Sequence, residues 1–161
     1  MRAAINPFGP IAHIAKEALY WTPVLGGGAQ LDGTNRYRLK FAKGKLPPVD
    51  AFWSLTLYGA DWLLVENEIK RYAITDRSEG LVNAADGALE IAIQHDKPTE
   101  EGVNWLPAPQ GPFKLILRTY QPRPELFDRR YKLPAVKTVS VVLEPQMLSR
   151  LGFRHVTLHI V

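Results

Sequence analysis

Arg71, Tyr72, Asp76 and Arg77 fall in one polar stretch, residues 66–80, that lacks clean hydrophobic periodicity. Planar guanidinium groups can read a carboxylate or phosphate with paired N–H donors. Two further polar groups can join them: the Asn104 amide and the Arg118 guanidinium. The cluster then supports two chemistries. It is either an ion-pair network that pins the 66–80 loop to its scaffold, or a site for an anion or a sugar. Trp53, Tyr58, Trp105 and Tyr120 divide in the same way, into core aromatics or walls of a ligand groove. The candidate ligand set is therefore Arg71, Tyr72, Asp76, Arg77, Asn104, Trp105 and Arg118.

What must hold that set is a corner. Asn104-Trp105-Leu106-Pro107-Ala108-Pro109 runs through Gln110-Gly111-Pro112 into Phe113-Lys114-Leu115-Ile116-Leu117-Arg118. Each proline fixes φ and lacks an N–H, so residues 106–112 are expected outside any helix or central strand. Such a corner holds Asn104 and Trp105 in place at little further entropic cost. The expectation is that it meets the 66–80 loop, with a loop arginine bonded to Asn104 or to the Asp76 carboxylate. If the cluster is structural, Asp76→Ala strands a buried guanidinium and costs roughly 3–5 kcal/mol.

Other chemistries find less support. His95-Asp96 is an acid/base pair by type, but neighbours at a strand end point apart, so a solvated loop histidine is expected. His155 and His159 have the spacing of a helical metal pair. The alternation around them argues a strand, on which they would lie about 13 Å apart, so no metal site is expected. Ser54 lies inside a strand pattern, without Gly-x-Ser-x-Gly around it. Asp76, Asp86, Asp96 and Glu90 could converge as glycosidase carboxylates, but their spacing does not argue that they do. There is no cysteine, which removes disulfides, thiolate zinc sites and thiol nucleophiles. Gly26-Gly27-Gly28 precedes no Lys-Ser or Lys-Thr helix start, so it reads as a turn rather than a phosphate loop. No cofactor is expected.

The 161 residues suit one domain with a sizeable core, and 13 prolines with 12 glycines suit strands and turns better than helices. The net charge of +4 is spread along the chain, without the basic, aromatic-interleaved stripe of a nucleic-acid binder. No apolar run approaches the roughly 18 residues of a membrane span. The start, Met1-Arg2-Ala3-Ala4-Ile5-Asn6-Pro7, has no apolar core after its charge, so no signal peptide is expected. As it stands the chain is expected to be a soluble, cytoplasmic one.

Periodicity supplies the elements. Arg36-Tyr37-Arg38-Leu39-Lys40-Phe41 alternates strictly, with Tyr37, Leu39 and Phe41 inward and Arg36, Arg38 and Lys40 toward water. Residues 51–58 form a long strand with Trp53, Leu55 and Leu57 on one face and Phe52 and Tyr58 on the other; large residues on both faces mark it as central or cavity-lining. Gly59-Ala60-Asp61 is expected to turn it back into a strand at Trp62-Leu63-Leu64-Val65. Strands also follow at 19–25, near 72–74, at 88–94 after an Asp86-Gly87 hairpin signal, at 113–120, at 139–143 and at the very end. A short helix is expected near 10–18 and a helical turn at 125–128. The domain plan is an N-terminal segment over 1–18, a β-sandwich domain over 19–137 and an extension over 138–161. The fold class is all-β, an antiparallel sandwich or barrel with few short helices, in which strands close in sequence pair antiparallel.

Phe52-Trp53-Ser54-Leu55-Thr56-Leu57-Tyr58, Arg71-Tyr72-Ala73-Ile74-Thr75-Asp76-Arg77, Asp86-Gly87-Ala88-Leu89, Asn104-Trp105-Leu106-Pro107-Ala108-Pro109 and Arg118-Thr119-Tyr120-Gln121-Pro122 follow one order. That order resembles the bacterial domain family DUF 1214, over roughly 17–136. The resemblance implies a jelly-roll-like β-sandwich. It also implies a partner, since the family usually forms the C-terminal part of chains that begin with a DUF 1254 domain; here that domain is expected on a separate chain or lost. It supplies no reaction, cofactor or catalytic residue. The leading expectation is a domain of unknown function that binds a small polar or carbohydrate-like ligand, or packs on a partner domain. The alternatives are a hydrolase of an envelope-associated or sugar-like substrate, and a purely structural interaction domain.

Overall fold

A computed structural model describes residues 16–22, 30–128 and 130–139. The expected helix near residues 10–18, apart from its last residues, the glycine turn at 26–28, His155, His159 and the strand at the end of the chain lie outside the described residues. The elements run β1 (Ala18–Trp21), β2 (Leu31–Asp32), β3 (Arg36–Phe41), β4 (Val49–Gly59), β5 (Ala73–Thr75), β6 (Leu89–Gln94), β7 (Asn104–Pro107), β8 (Pro112–Pro122), α1 (Pro124–Phe127) and β9 (Lys137–Val139). They form two sheets. One is ordered β1-β8-β4-β5, with β2 also on β8; the other is β7-β6-β3-β9.

The inner faces make one core. Tyr37, Leu39, Phe41, Leu55, Leu57, Leu89, Ile91, Ile93, Leu115 and Leu117 are all buried, as their alternation predicts. Rings cross between the sheets: Tyr37 meets Phe113 edge-on at 5.8 Å between centroids, and Phe41 meets Trp53 at 5.6 Å. The Tyr37 hydroxyl keeps its hydrogen bonds although buried, donating to Asp32 O and accepting from Asp32 N. The fold is an all-β sandwich, and its one described helix is a single turn.

Four expectations are corrected. Of the described strands consecutive in the chain only β4 with β5 and β6 with β7 pair, and the antiparallel partners are otherwise strands distant in sequence; β6 and β7 are parallel, with Ile91 opposite Asn104 and Gln94 opposite Pro107. Residues 95–103 carry the chain back along the sheet to allow this. Trp62-Leu63-Leu64-Val65 is not a strand. Trp62 takes a left-handed φ of 68°, Gly59 N donates to Leu63 O, and Leu63 and Leu64 are exposed, so β4 pairs instead with β5. The Asp86-Gly87 turn closes on itself through Ala84 N to Ala88 O, ahead of β6, without joining two paired strands. Arg38 does not face water. Its side chain is only 13% exposed and reaches Glu90, Glu100 and the Gln94 amide oxygen, because the returning segment brings Glu100 over it. Strand β9 pairs with β3 and runs across the expected 137/138 boundary. Among the described residues no helix is long and apolar enough to cross a membrane.

Candidate functional site

The corner is built by parallel pairing of β7 on β6. All four residues of β7 are buried. Trp105 Nε1 donates to Gln94 O at 3.0 Å, Ala108 N donates to the same carbonyl, and His95 Nδ1 lies 3.1 Å from Ala108 O. Asn104 is enclosed by backbone. Its Oδ1 accepts from Val82 N at 2.9 Å, and its Nδ2 donates to Val82 O at 2.8 Å and Glu90 O at 3.0 Å. A primary amide has two N–H donors and one carbonyl, so these three bonds occupy both donors and leave the carbonyl one lone pair. Asn104 is therefore a clamp between the 80s turn and the β6–β7 pair.

The 66–80 loop does meet this corner. Arg71 Nη1 donates to Trp105 O at 3.0 Å. The loop is closed by Asn67, whose Oδ1 accepts from Arg71 N while Nδ2 donates to Arg71 O and Val65 O. The Tyr72 hydroxyl donates to Glu66 Oε2 at 3.0 Å, and that bond holds the phenol above its ordinary pKa. Between loop and corner lies a cleft of about 550 Å³, lined by Val65, Glu66, Asn67, Glu68, His95, Asp96, Lys97, Trp105, Pro107, Ala108 and Pro109.

The seven residues singled out from the sequence do not form one cluster. Arg71, Asn104 and Trp105 share the corner, and Tyr72 adjoins it through Glu66. Asp76 and Arg77 lie beside the start of β4: Asp76 Oδ1 accepts from Trp53 N at 3.3 Å, and the Arg77 guanidinium sits 4.7 Å from the Phe52 ring and donates to Ala51 O. Arg118 is on the outer face of the five-stranded sheet, donating to Thr56 Oγ1 and the Tyr58 hydroxyl. The expected bond from a loop arginine to Asn104 or Asp76 is absent among the described residues; the guanidinium of Arg71 takes the neighbouring main-chain carbonyl instead. Asp76 is exposed and holds no buried guanidinium. Asp76→Ala should then cost about 1 kcal/mol or less in urea unfolding, the worth of one long hydrogen bond. A loss above about 3 kcal/mol would restore the ion-pair network.

Glu66, Glu68 and Lys97 line the cleft without having been singled out. Charged residues in polar loops are common, and only the return of residues 95–103 brings these two loops together. Among the described residues there is no group of three metal-ligating side chains. The four carboxylates considered for glycosidase chemistry do not converge: Asp86 and Glu90 share the Lys40 ammonium, at 2.7 and 3.8 Å, Glu90 also pairs with Arg38, Asp76 lies beside β4, and of the four only Asp96 borders the cleft.

The profile of the family described as protein of unknown function, DUF1214, matches residues 17–124. The chain belongs to the DUF1214 family. No curated protein matches it. Its fold is similar to the crystal structure of the VPA0106 protein from Vibrio parahaemolyticus, with a TM-score of 0.68, 29% identity, and coverage of 83% of this chain and 33% of that one. A putative uncharacterized protein from Burkholderia cenocepacia matches at a TM-score of 0.44 and 16% identity, over 86% of this chain and 39% of that one. This DUF1214 chain thus spans about a third of the length of the VPA0106 chain.

Proposed function

We propose that this DUF1214 domain binds a small hydroxylated ligand of the carbohydrate kind, neutral or cationic, in the cleft between the 66–80 loop and the Trp105 corner. The observation that carries this reading is the lining itself. A volume of about 550 Å³ suits one or two sugar rings, and Trp105, Pro107 and Pro109 supply an apolar wall beside polar groups that can meet hydroxyls. Charge selects the ligand. Glu66, Glu68 and Asp96 are three carboxylates against the single ammonium of Lys97, so an anion is disfavoured and an amino sugar favoured. Arg71, the guanidinium nearest the corner, keeps its charge but is not among the lining residues, and its Nη1 is turned to Trp105 O.

The test is a titration of isotope-labelled protein, followed by NMR, with three oligosaccharides of equal length: chitosan, cellulose and polygalacturonate fragments. The expected result is that the chitosan oligomer, and more weakly the neutral one, shifts the Trp105 indole N–H and the amides of His95 to Lys97. The paired substitution E68Q/D96N should weaken chitosan-oligomer binding about tenfold or more, the loss of charge-assisted hydrogen bonds. Equal response of these resonances to the polygalacturonate fragment would overturn the charge argument.

A second reading rests on a different observation. Leu63, Leu64 and Ile69 are 66%, 51% and 44% exposed on the segment that leads to this cleft, and the chain spans a third of the VPA0106 chain. In that reading the segment packs on an adjoining domain of a longer assembly. Cleft resonances silent to all three oligosaccharides would leave this reading standing and remove the first.

A further inference from the structure

The outer face of the five-stranded sheet carries chemistry that the cleft does not use. Alternation along β1, β4 and β8 places Tyr20, Phe52, Ser54, Thr56, Tyr58, Lys114, Arg118 and Tyr120 there. Tyr20, Arg118 and Ser54 are direct neighbours across three adjacent strands. Arg118 Nη1 donates to Thr56 Oγ1 at 3.0 Å and Nη2 to the Tyr58 hydroxyl at 2.7 Å. Its guanidinium carbon lies 5.4 Å from the Tyr58 ring centre and 6.0 Å from that of Tyr20.

Arg118 makes no ion pair among the described residues, whereas Arg38, partly buried on the outer face of the other sheet, holds two carboxylates. A guanidinium has five N–H donors, and two of these are used. The two hydroxyls fix the fork in advance, so a ligand would order little on arrival. Further cations flank it. Arg77 lies over Phe52, which stacks on Tyr120 at 4.3 Å, and Lys114 lies 4.0 Å from the Trp62 ring centre beyond Tyr58. From Phe52 to Tyr58 the strand runs about 20 Å.

We propose that this face is a second binding site, for a carboxylate-bearing oligosaccharide, with Arg118 taking a carboxylate and Tyr20 and Tyr58 meeting sugar rings. A spaced row of cations with rings between them fits an extended chain that carries charge at intervals. An acidic peptide is the less suited ligand. Peptides dock on sheets by adding to an edge, and β4 and β8 are interior strands whose backbone groups already serve their neighbours.

The experiment is calorimetric titration of the whole chain at physiological salt with a polygalacturonate fragment, a neutral galactan fragment of equal length, and poly-L-glutamate. The expected result is that the polygalacturonate fragment binds, the galactan binds at least about tenfold more weakly, and R118Q loses about tenfold or more while E68Q/D96N loses nothing. If R118Q does not fold, Tyr20→Ala, on an exposed ring of the edge strand β1, is expected to weaken the same binding severalfold. Equal binding of the neutral fragment, equal or tighter binding of poly-L-glutamate, unchanged binding by both variants, or no binding of the uronate would each overturn the proposal. Loss of the cleft titration leaves this one untouched, because the cleft ligand is neutral or cationic while this one is anionic, and E68Q/D96N and R118Q touch different faces.

Discussion

Asn104→Ala is expected to destabilise the protein by about 3 kcal/mol in reversible urea unfolding, from the loss of one exchangeable amide. The side chain is 4% exposed and satisfies Val82 N, Val82 O and Glu90 O. Removing it orphans one donor and two acceptors, each worth about 1–3 kcal/mol if water cannot reach it. Val82 is 45% exposed, so water recovers part of that loss, which is why the full sum is not expected. N104D tests the chemistry rather than the volume. It keeps an acceptor for Val82 N but sets an oxygen against two carbonyls, and is expected to be no more stable than N104A. Hydrogen exchange at Val82 should quicken in both. A loss below about 1 kcal/mol in N104A would show that solvent, not this amide, serves the clamp.

Gly33→Ala should cost a similar amount for a different reason. A Cβ on Gly33 would stand 1.6 Å from Pro109 O and 2.8 Å from Pro109 C. Gly33 N also donates to Gly111 O at 3.0 Å, so the two turns are bonded where they touch. The obstacle is main chain, in a segment that Pro109 and Pro112 stiffen, and it cannot rotate away as a side chain would. About 3 kcal/mol, the upper end of what overpacking costs, is the expectation. Gly111→Ala is the control. A Cβ there meets nothing within 4 Å, and the change should be nearly silent. Equal effects of the two substitutions would mean that glycine freedom, rather than close approach, matters at this turn.

Both positions show where sequence reading stops. Asn104 was legible as a residue held by prolines, but its partners are Val82 and Glu90, 22 and 14 residues away. A short-range pattern contains nothing about such a pair. Asp32-Gly33 is by sequence an ordinary turn signal, and what makes the glycine necessary is Pro109, brought alongside by the pairing of β2 with β8. Arg38 failed for the same reason. Alternation correctly placed it on the outer face of its strand, but an outer face is wet only if no later segment crosses it, and residues 95–103 do.

Alternation and punctuation alone determined the all-β class, most strand positions and ten of the core residues, because a strand's inward and outward faces depend only on neighbours two apart. The order of DUF1214 segments determined the family by the same local means. Only the tertiary structure decided that β6 and β7 run parallel, that the seven polar residues divide among a corner, a strand end and an outer sheet face, and that Glu66, Glu68 and Lys97 share a cleft with Trp105. Those facts depend on which loops the sandwich lays beside each other. That is set by the packing of two whole sheets, and by a return path whose direction no residue in 95–103 specifies on its own.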